Sequence, residues 1–111
     1  MARKTIPHSV KNEVAEIVDR FNKGIFNTYR CKYYTRYKAN YLYLDRTSYE
    51  SSSPAPICRL KYTGEMNKWE FAIFKYSSMC YDPDEYWFPG EECVDGTIEG
   101  ALKAGMKAYH I

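Results

Sequence analysis

The sequence predicts an α+β fold: a helix, a four-stranded antiparallel meander and a second helix, with both helices packed on one face of the sheet. Three observations carry that reading. Apolar stripes at helical period stand near both ends of the chain, period-two alternation fills the middle, and the links between the alternating stretches are short. A length of 111 residues fits a single domain over residues 1–111 with a real core.

The first helix is predicted over residues 9 to 23. Val10, Val14, Ile17, Val18 and Phe21 recur at i, i+4, i+7, i+8 and i+11. Ser9 is the expected N-cap, Pro7 precedes it, and Gly24 is the expected C′ residue. A strand is then predicted over residues 29 to 37, where Tyr29, Cys31, Tyr33, Thr35 and Tyr37 alternate with Arg30, Lys32, Tyr34 and Arg36. A polar turn at residues 38 to 40 leads to a second strand over 41 to 47. There Tyr41 and Tyr43 compete with Leu42 and Leu44 for the buried side, and that choice stays open. "SYESSSPAP", residues 48 to 56, reads as a loop and as the most mobile segment.

A third strand is predicted over 57 to 63, with Cys58, Leu60 and Tyr62 on one side and Arg59, Lys61 and Thr63 on the other. "TGEMNK" is a turn. The fourth strand, 69 to 76, is apolar on both faces and needs either a central place or a cover. The following "CYDPDEYWFPGEECVDG" is the expected cover. The last helix is predicted over 96 to 108, with Ile98, Ala101, Leu102, Gly105, Met106 and Tyr109 on one stripe and Asp95 or Thr97 as its cap. Gly100 and Gly105 cost helix propensity, so close packing against the sheet is expected at both.

Charge is divided along the chain. Residues 1 to 63 hold twelve Lys or Arg against five Asp or Glu; residues 64 to 111 hold four against nine. Such a division steers partners or neutralises itself within the fold. No apolar run follows the basic start and none approaches a membrane span, so a soluble, cytoplasmic protein is expected. In that setting the four cysteines, Cys31, Cys58, Cys80 and Cys93, are expected as thiols.

The segment "TYRCKYYTRYKANYLYL" poses the functional question, with six tyrosines and four basic residues among residues 28 to 44. Arg30, Lys32, Tyr34, Arg36, Arg59 and Lys61 fall on registers that solvent-facing sides of neighbouring strands can share. Bases stack on aromatic rings, and Lys and Arg neutralise phosphates. The competing reading is a solvated face whose long basic side chains cover tyrosine rings. The sequence pI of about 8.3 is below that of a typical nucleic-acid-binding domain. Period two places Tyr29, Cys31, Tyr33 and Tyr37 together, on the core side. A second candidate surface is Tyr86, Trp87 and Phe88, three consecutive aromatics flanked by acidic residues. An exposed tip of this kind binds proteins; a covered one lids the fourth strand.

No cofactor or metal is implied. The cysteines lack the close pairs of structural zinc sites, and Asp82, Asp84 and Glu85 lack the glycine and closing glutamate of a calcium loop. Cys80 and Cys93 with a histidine leave one metal arrangement open. There is no phosphate-cradling loop, no nucleophile elbow, and the two histidines stand at opposite ends of the chain, so an enzyme has little support.

The order of elements is similar to that of the double-stranded RNA-binding domain, which runs helix, three strands, helix. Here "GTIEGALKAGMKAYHI" carries Glu99 where that family has a lysine cluster, and there is an extra strand, so no site is carried over. "PICRLKYTGEMNKWEFAIFKYS" followed by "FPGEECVDGTIEGALKAGMKAY" resembles small uncharacterised prokaryotic α+β domains, in which an arginine-bearing and a tryptophan-bearing strand form a hairpin before a C-terminal helix. That resemblance implies a fold and no activity. The leading expectation is therefore a small non-enzymatic module that binds a protein partner or forms a homo-oligomer, through an open sheet face and the Tyr86, Trp87, Phe88 loop. The second is a binder of RNA or single-stranded DNA through the basic, tyrosine-bearing face. No membrane association is expected.

Overall fold

A period-two middle between two amphipathic ends does fold as α+β. The computed structural model describes residues 6–29, 31–47, 53–84 and 88–109. Helix α1 (His8–Tyr29) is followed by strands β1 (Tyr33–Lys38), β2 (Tyr41–Arg46), β3 (Ala55–Lys61), β4 (Glu70–Lys75) and β5 (Cys80–Asp82). A short 3₁₀ turn (Glu91–Cys93) and helix α2 (Ile98–Ala108) complete it. The strands lie in the order β1-β2-β3-β4-β5, and every neighbouring pair is antiparallel.

The expected four-stranded meander with two helices on one face is therefore not matched as drawn. The fifth strand comes from the segment read as a cover over the fourth. A turn with Met79 in the left-handed region (φ 53°) sends the chain back along β4, pairing Phe74 with Tyr81 and Ile73 with Asp82. The chain thereby hydrogen-bonds an edge that would otherwise stand open.

The first helix also departs from its predicted bounds. It runs through Gly24 to Tyr29, so the strand predicted from residue 29 begins only at Tyr33. One helical glycine costs about 1 kcal/mol, too little to stop a helix whose preceding turn is anchored. The anchor is Asn22, whose Oδ1 accepts from the Tyr33 N–H at 2.8 Å and whose Nδ2 donates to the Tyr33 carbonyl at 3.0 Å. Ala55 and Pro56, predicted as loop, open β3; residues 48–52 of that loop lie outside the described residues.

Cross-strand register sorts the two sides of the sheet. One side reads Tyr37, Leu42, Leu60 and Phe71 in one row and Thr35, Leu44, Cys58 and Ile73 in the next. Leu42, Leu44, Cys58, Leu60 and Ile73 are buried and share one core with Val14 and Val18 of α1 and Ile98 and Leu102 of α2. The leucines thus win the inward side of β2 and turn Tyr41 and Tyr43 outward. Cys31 and Cys58 are buried, as their registers predict.

Tyr33 is where three elements meet. Its ring sits edge-on to Phe21 of α1 at 5.9 Å, and its hydroxyl donates to the Leu102 carbonyl of α2 at 2.8 Å. Gly105 lets α2 come that close, because a Cβ there would fall against the Tyr33 hydroxyl and 2.6 Å from Ile57 Cγ2. Gly100 is also tight, but its neighbours are the Cys93 carbonyl and the Asp95 side chain rather than a strand. Thr97 is the cap of α2, accepting from the Gly100 N–H at 3.0 Å, while Asp95 accepts in turn from the Thr97 N–H at 3.1 Å.

Arg46, given no role by the sequence reading, closes the other end of α2. It follows Leu42 and Leu44 on the inward register and is 4% exposed. Its guanidinium donates to the Gly105 carbonyl at 3.1 Å and to the Tyr109 carbonyl. A cation at the carbonyl end of a helix is favoured by the helix dipole.

Burial pushes the Cys58 thiol and the Tyr33 phenol well above their ordinary values of 9.0 and 10.0, despite the opposing field of Arg46. Below pH 9 both folded and unfolded chains hold these protons, so stability does not change on their account. Above it the unfolded chain releases them while the folded chain keeps them, so stability falls as pH rises. Each group adds a slope approaching about 1.4 kcal/mol per pH unit. Urea midpoints are expected to fall from pH 9 upward, and Cys58→Ala is expected to make the fall shallower, with the Cys31 thiol, also raised by burial, still contributing; a midpoint constant to pH 10.5 contradicts this.

Candidate functional site

The second side of the sheet carries the alternate register. One row reads Arg36, Tyr43, Arg59 and Ala72; the next reads Lys38, Tyr41, Lys61 and Glu70; Tyr34 faces Asp45. Tyr81 of β5 joins these rows beside Phe74. Period two therefore brings Tyr34, Arg36, Arg59 and Lys61 onto one surface, as the nucleic-acid reading requires. Lys32 is exposed and precedes β1 on the same even register, its backbone held by Thr47. Arg30 lies outside the described residues.

The tyrosines and arginines on this side are interleaved. The Arg36 guanidinium lies 4.6 Å from the Tyr43 ring centre; that of Arg59 lies 4.5 Å from Tyr41 and 5.4 Å from Tyr81. Tyr43 meets Tyr81 edge-on at 5.3 Å, and Tyr41 lies tilted to Tyr43 at 6.2 Å. Edge-on rings and stacked guanidinium groups are each favourable by roughly 0.5–1.5 kcal/mol. The basic side chains do cover tyrosine rings, as the competing reading expects. They also present guanidinium planes.

The two arginines are not equivalent. Arg36 Nε bonds Asp45 Oδ2 at 2.7 Å and Nη2 bonds Oδ1 at 3.2 Å, a two-point fork on a nearly buried carboxylate. That bonding raises the Arg36 pKa further, so the group is charged and fixed. Arg59 and Lys61 have no ion pair among the described residues. Tyr34, 45% exposed, is the most open ring on the strands of this side.

Sequence reasoning left the side of Tyr41 and Tyr43 open and missed Tyr81 as a member of this surface. The first two were legible only once Leu42 and Leu44 had been assigned inward. Tyr81 depended on a strand that three residues of alternation are too few to reveal.

The aromatic loop is described in part. Phe88 stacks on Phe71 at 5.8 Å and is half-buried on the core side; Tyr86 and Trp87 lie outside the described residues. Among the described residues no cluster of three His, Cys, Asp or Glu is arranged to hold a metal, and no helix is long and apolar enough to cross a membrane. A cleft of about 310 Å³ lies between the helices at Ile17, Phe21 and Glu99. Another of about 310 Å³ lies at Ile73, Tyr76, Phe88 and Tyr109. In the second, the Tyr76 and Tyr109 hydroxyls are committed to the Pro56 and Phe74 carbonyls.

No protein-family model, curated protein or solved structure matches this chain.

Proposed function

We propose that the protein is a non-enzymatic binding module and that the outer side of its sheet binds single-stranded nucleic acid. The observation that supports this is the Arg36–Tyr43–Arg59 row, in which rings and guanidinium planes alternate on a face with both helices read as lying opposite. Unpaired bases stack on tyrosine rings and on arginine planes, while duplex bases are not available for stacking. Arg59, Lys61 and Lys38 supply charge for phosphates. Arg36 is held by Asp45 and serves as a fixed plane.

Tyrosine and arginine also dominate protein interfaces, so a protein partner or a second copy is the competing occupant. Five basic residues against two acidic ones on this face, Asp45 and Glu70, favour a polyanion. Two or three phosphate contacts imply only a shallow salt dependence.

Fluorescence anisotropy with twelve-nucleotide oligo(dT), oligo(rU) and a duplex of the same length tests the reading. Single strands are expected to bind better than duplex in ~50 mM salt and to lose roughly tenfold in ~200 mM. Arg59→Glu is expected to weaken binding at least tenfold without unfolding the chain. Absence of binding in low salt, or an unaffected Arg59→Glu variant, overturns it. Self-association abolished by the same variant assigns the face to a second copy instead.

A further inference from the structure

The free edge of β1 carries a second feature. Lys32 pairs its carbonyl with Thr47 on the β2 side, while Tyr33 turns both of its backbone groups to Asn22. Antiparallel strands alternate in this way. Thr35 and Tyr37 therefore point their N–H and C=O groups outward, and β1 is the last strand on that side, so no described strand lies beside them. The Asn22 carboxamide occupies the donor and acceptor of Tyr33 as the backbone of a sixth strand would. It caps the first rung of an edge ladder and leaves the next rungs vacant.

Charge narrows what those rungs accept. Arg36 and Lys38 project on the outer side of this edge, and on the other side Lys11 of α1 lies 4.8 Å from the Tyr37 ring centre. Ala15, one turn along α1 on the same stripe as Lys11 and Asn22, is small and exposed. A second β1 laid antiparallel against the first would set Arg36 against either Arg36 or Lys38 of the copy when the strands overlap fully, and like charges across a strand pair are unfavourable. An acidic strand meets the opposite sign on both sides.

We infer that the Thr35–Tyr37 edge of β1 accepts an extended acidic peptide by strand addition, between α1 and the rim of the sheet. Main-chain hydrogen bonds at Thr35 and Tyr37 supply affinity; Arg36 and Lys38 select acidic side chains on one face of the added strand and Lys11 selects them on the other. This site borders the Tyr43–Arg59 surface and shares Arg36 and Lys38 with it; the main-chain groups of Thr35 and Tyr37 and the Lys11 side chain belong to the edge alone.

The test is titration of the ¹⁵N-labelled full chain with the synthetic peptide Val-Glu-Glu-Thr-Glu-Glu-Val-Glu, which carries glutamates on both faces of an extended strand. The Thr35 and Tyr37 amides are expected to shift and to exchange more slowly with solvent. The same peptide N-methylated at alternate residues, and a Lys-for-Glu version, are each expected to bind at least tenfold more weakly. Lys11→Glu is expected to weaken the acidic peptide severalfold while leaving oligo(dT) affinity within twofold. Unmoved Thr35 and Tyr37 amides at millimolar peptide, or equal binding of the N-methylated peptide, overturn the inference. So does a concentration-dependent dimer that protects the same two amides, because it assigns the edge to a second copy.

Discussion

Asn22→Ala is expected to destabilise the fold by about 3 kcal/mol, the largest effect of any single polar side chain outside Arg46. Two buried hydrogen bonds are lost, and the Tyr33 N–H and C=O are left behind with no partner. Each orphaned buried group costs about 1–3 kcal/mol, with part of that recovered if water reaches it. The site joins α1 to the first residue of β1, so the loss also loosens the seating of the whole helix. Urea unfolding of Asn22→Ala and Asn22→Gln checks it. Glutamine keeps the amide and displaces it by one methylene, so it is expected to recover little. A cost below 1 kcal/mol for alanine contradicts the role given to this side chain. Hydrogen exchange gives an independent readout, with Tyr33 amide protection expected to fall more than that of Leu44.

Gly105→Ala is expected to cost about 2–3 kcal/mol even though alanine favours a helix by about 1 kcal/mol. The new methyl has no space: Ile57 Cγ2 lies 2.6 Å away and the Tyr33 hydroxyl is closer still. Neither neighbour is free to move. The hydroxyl is held by its bond to the Leu102 carbonyl, and the Ile57 branch is stiff and buried. Tyr33→Phe removes the oxygen that collides, at the cost of one buried hydrogen bond. The double variant is therefore expected to be more stable than the two separate costs sum to, by about 1 kcal/mol. Strict additivity in thermal or urea unfolding contradicts a steric conflict between these two residues.

Most of the architecture was legible because burial and periodicity agree over long stretches. The α1 stripe and the Cys58–Leu60–Tyr62 register read directly from spacing, and the α2 cap was narrowed to Asp95 or Thr97, of which Thr97 takes the role. Failures occurred where a tertiary contact outweighed a local signal. Gly24 looked like a helix end, yet the Asn22 clamp fixes the turn before it and the helix continues to Tyr29. β5 was invisible because three residues cannot establish a period, and its partner edge was known only after β4 had been placed. Arg46 stood in plain sight at two residues beyond Leu44; an inward-pointing arginine is predicted by alternation and rejected by polarity, and the helix end it caps resolves the conflict.

The candidate surface was half legible for the same reason. Arg36, Arg59 and Lys61 fell into place from alternation alone. Their tyrosine partners did not, because Tyr41 and Tyr43 alternate with two leucines and the pattern has no sign until the core is built. Arg36 differs from Arg59 only through Asp45, and a pairing between β1 and β2 cannot be read before their register is known.

The central claim is that the Arg36–Tyr43–Arg59 row is a surface for single-stranded nucleic acid. Amide shift mapping of the ¹⁵N-labelled chain during titration with oligo(dT) in low salt tests it most directly. The expected result is a continuous patch over Tyr34, Arg36, Tyr43, Arg59 and Tyr81, with α2 and the inward residues Leu42 and Leu60 changed far less. No shifts, or shifts centred on α1 and α2 with the outer row unmoved, would contradict it.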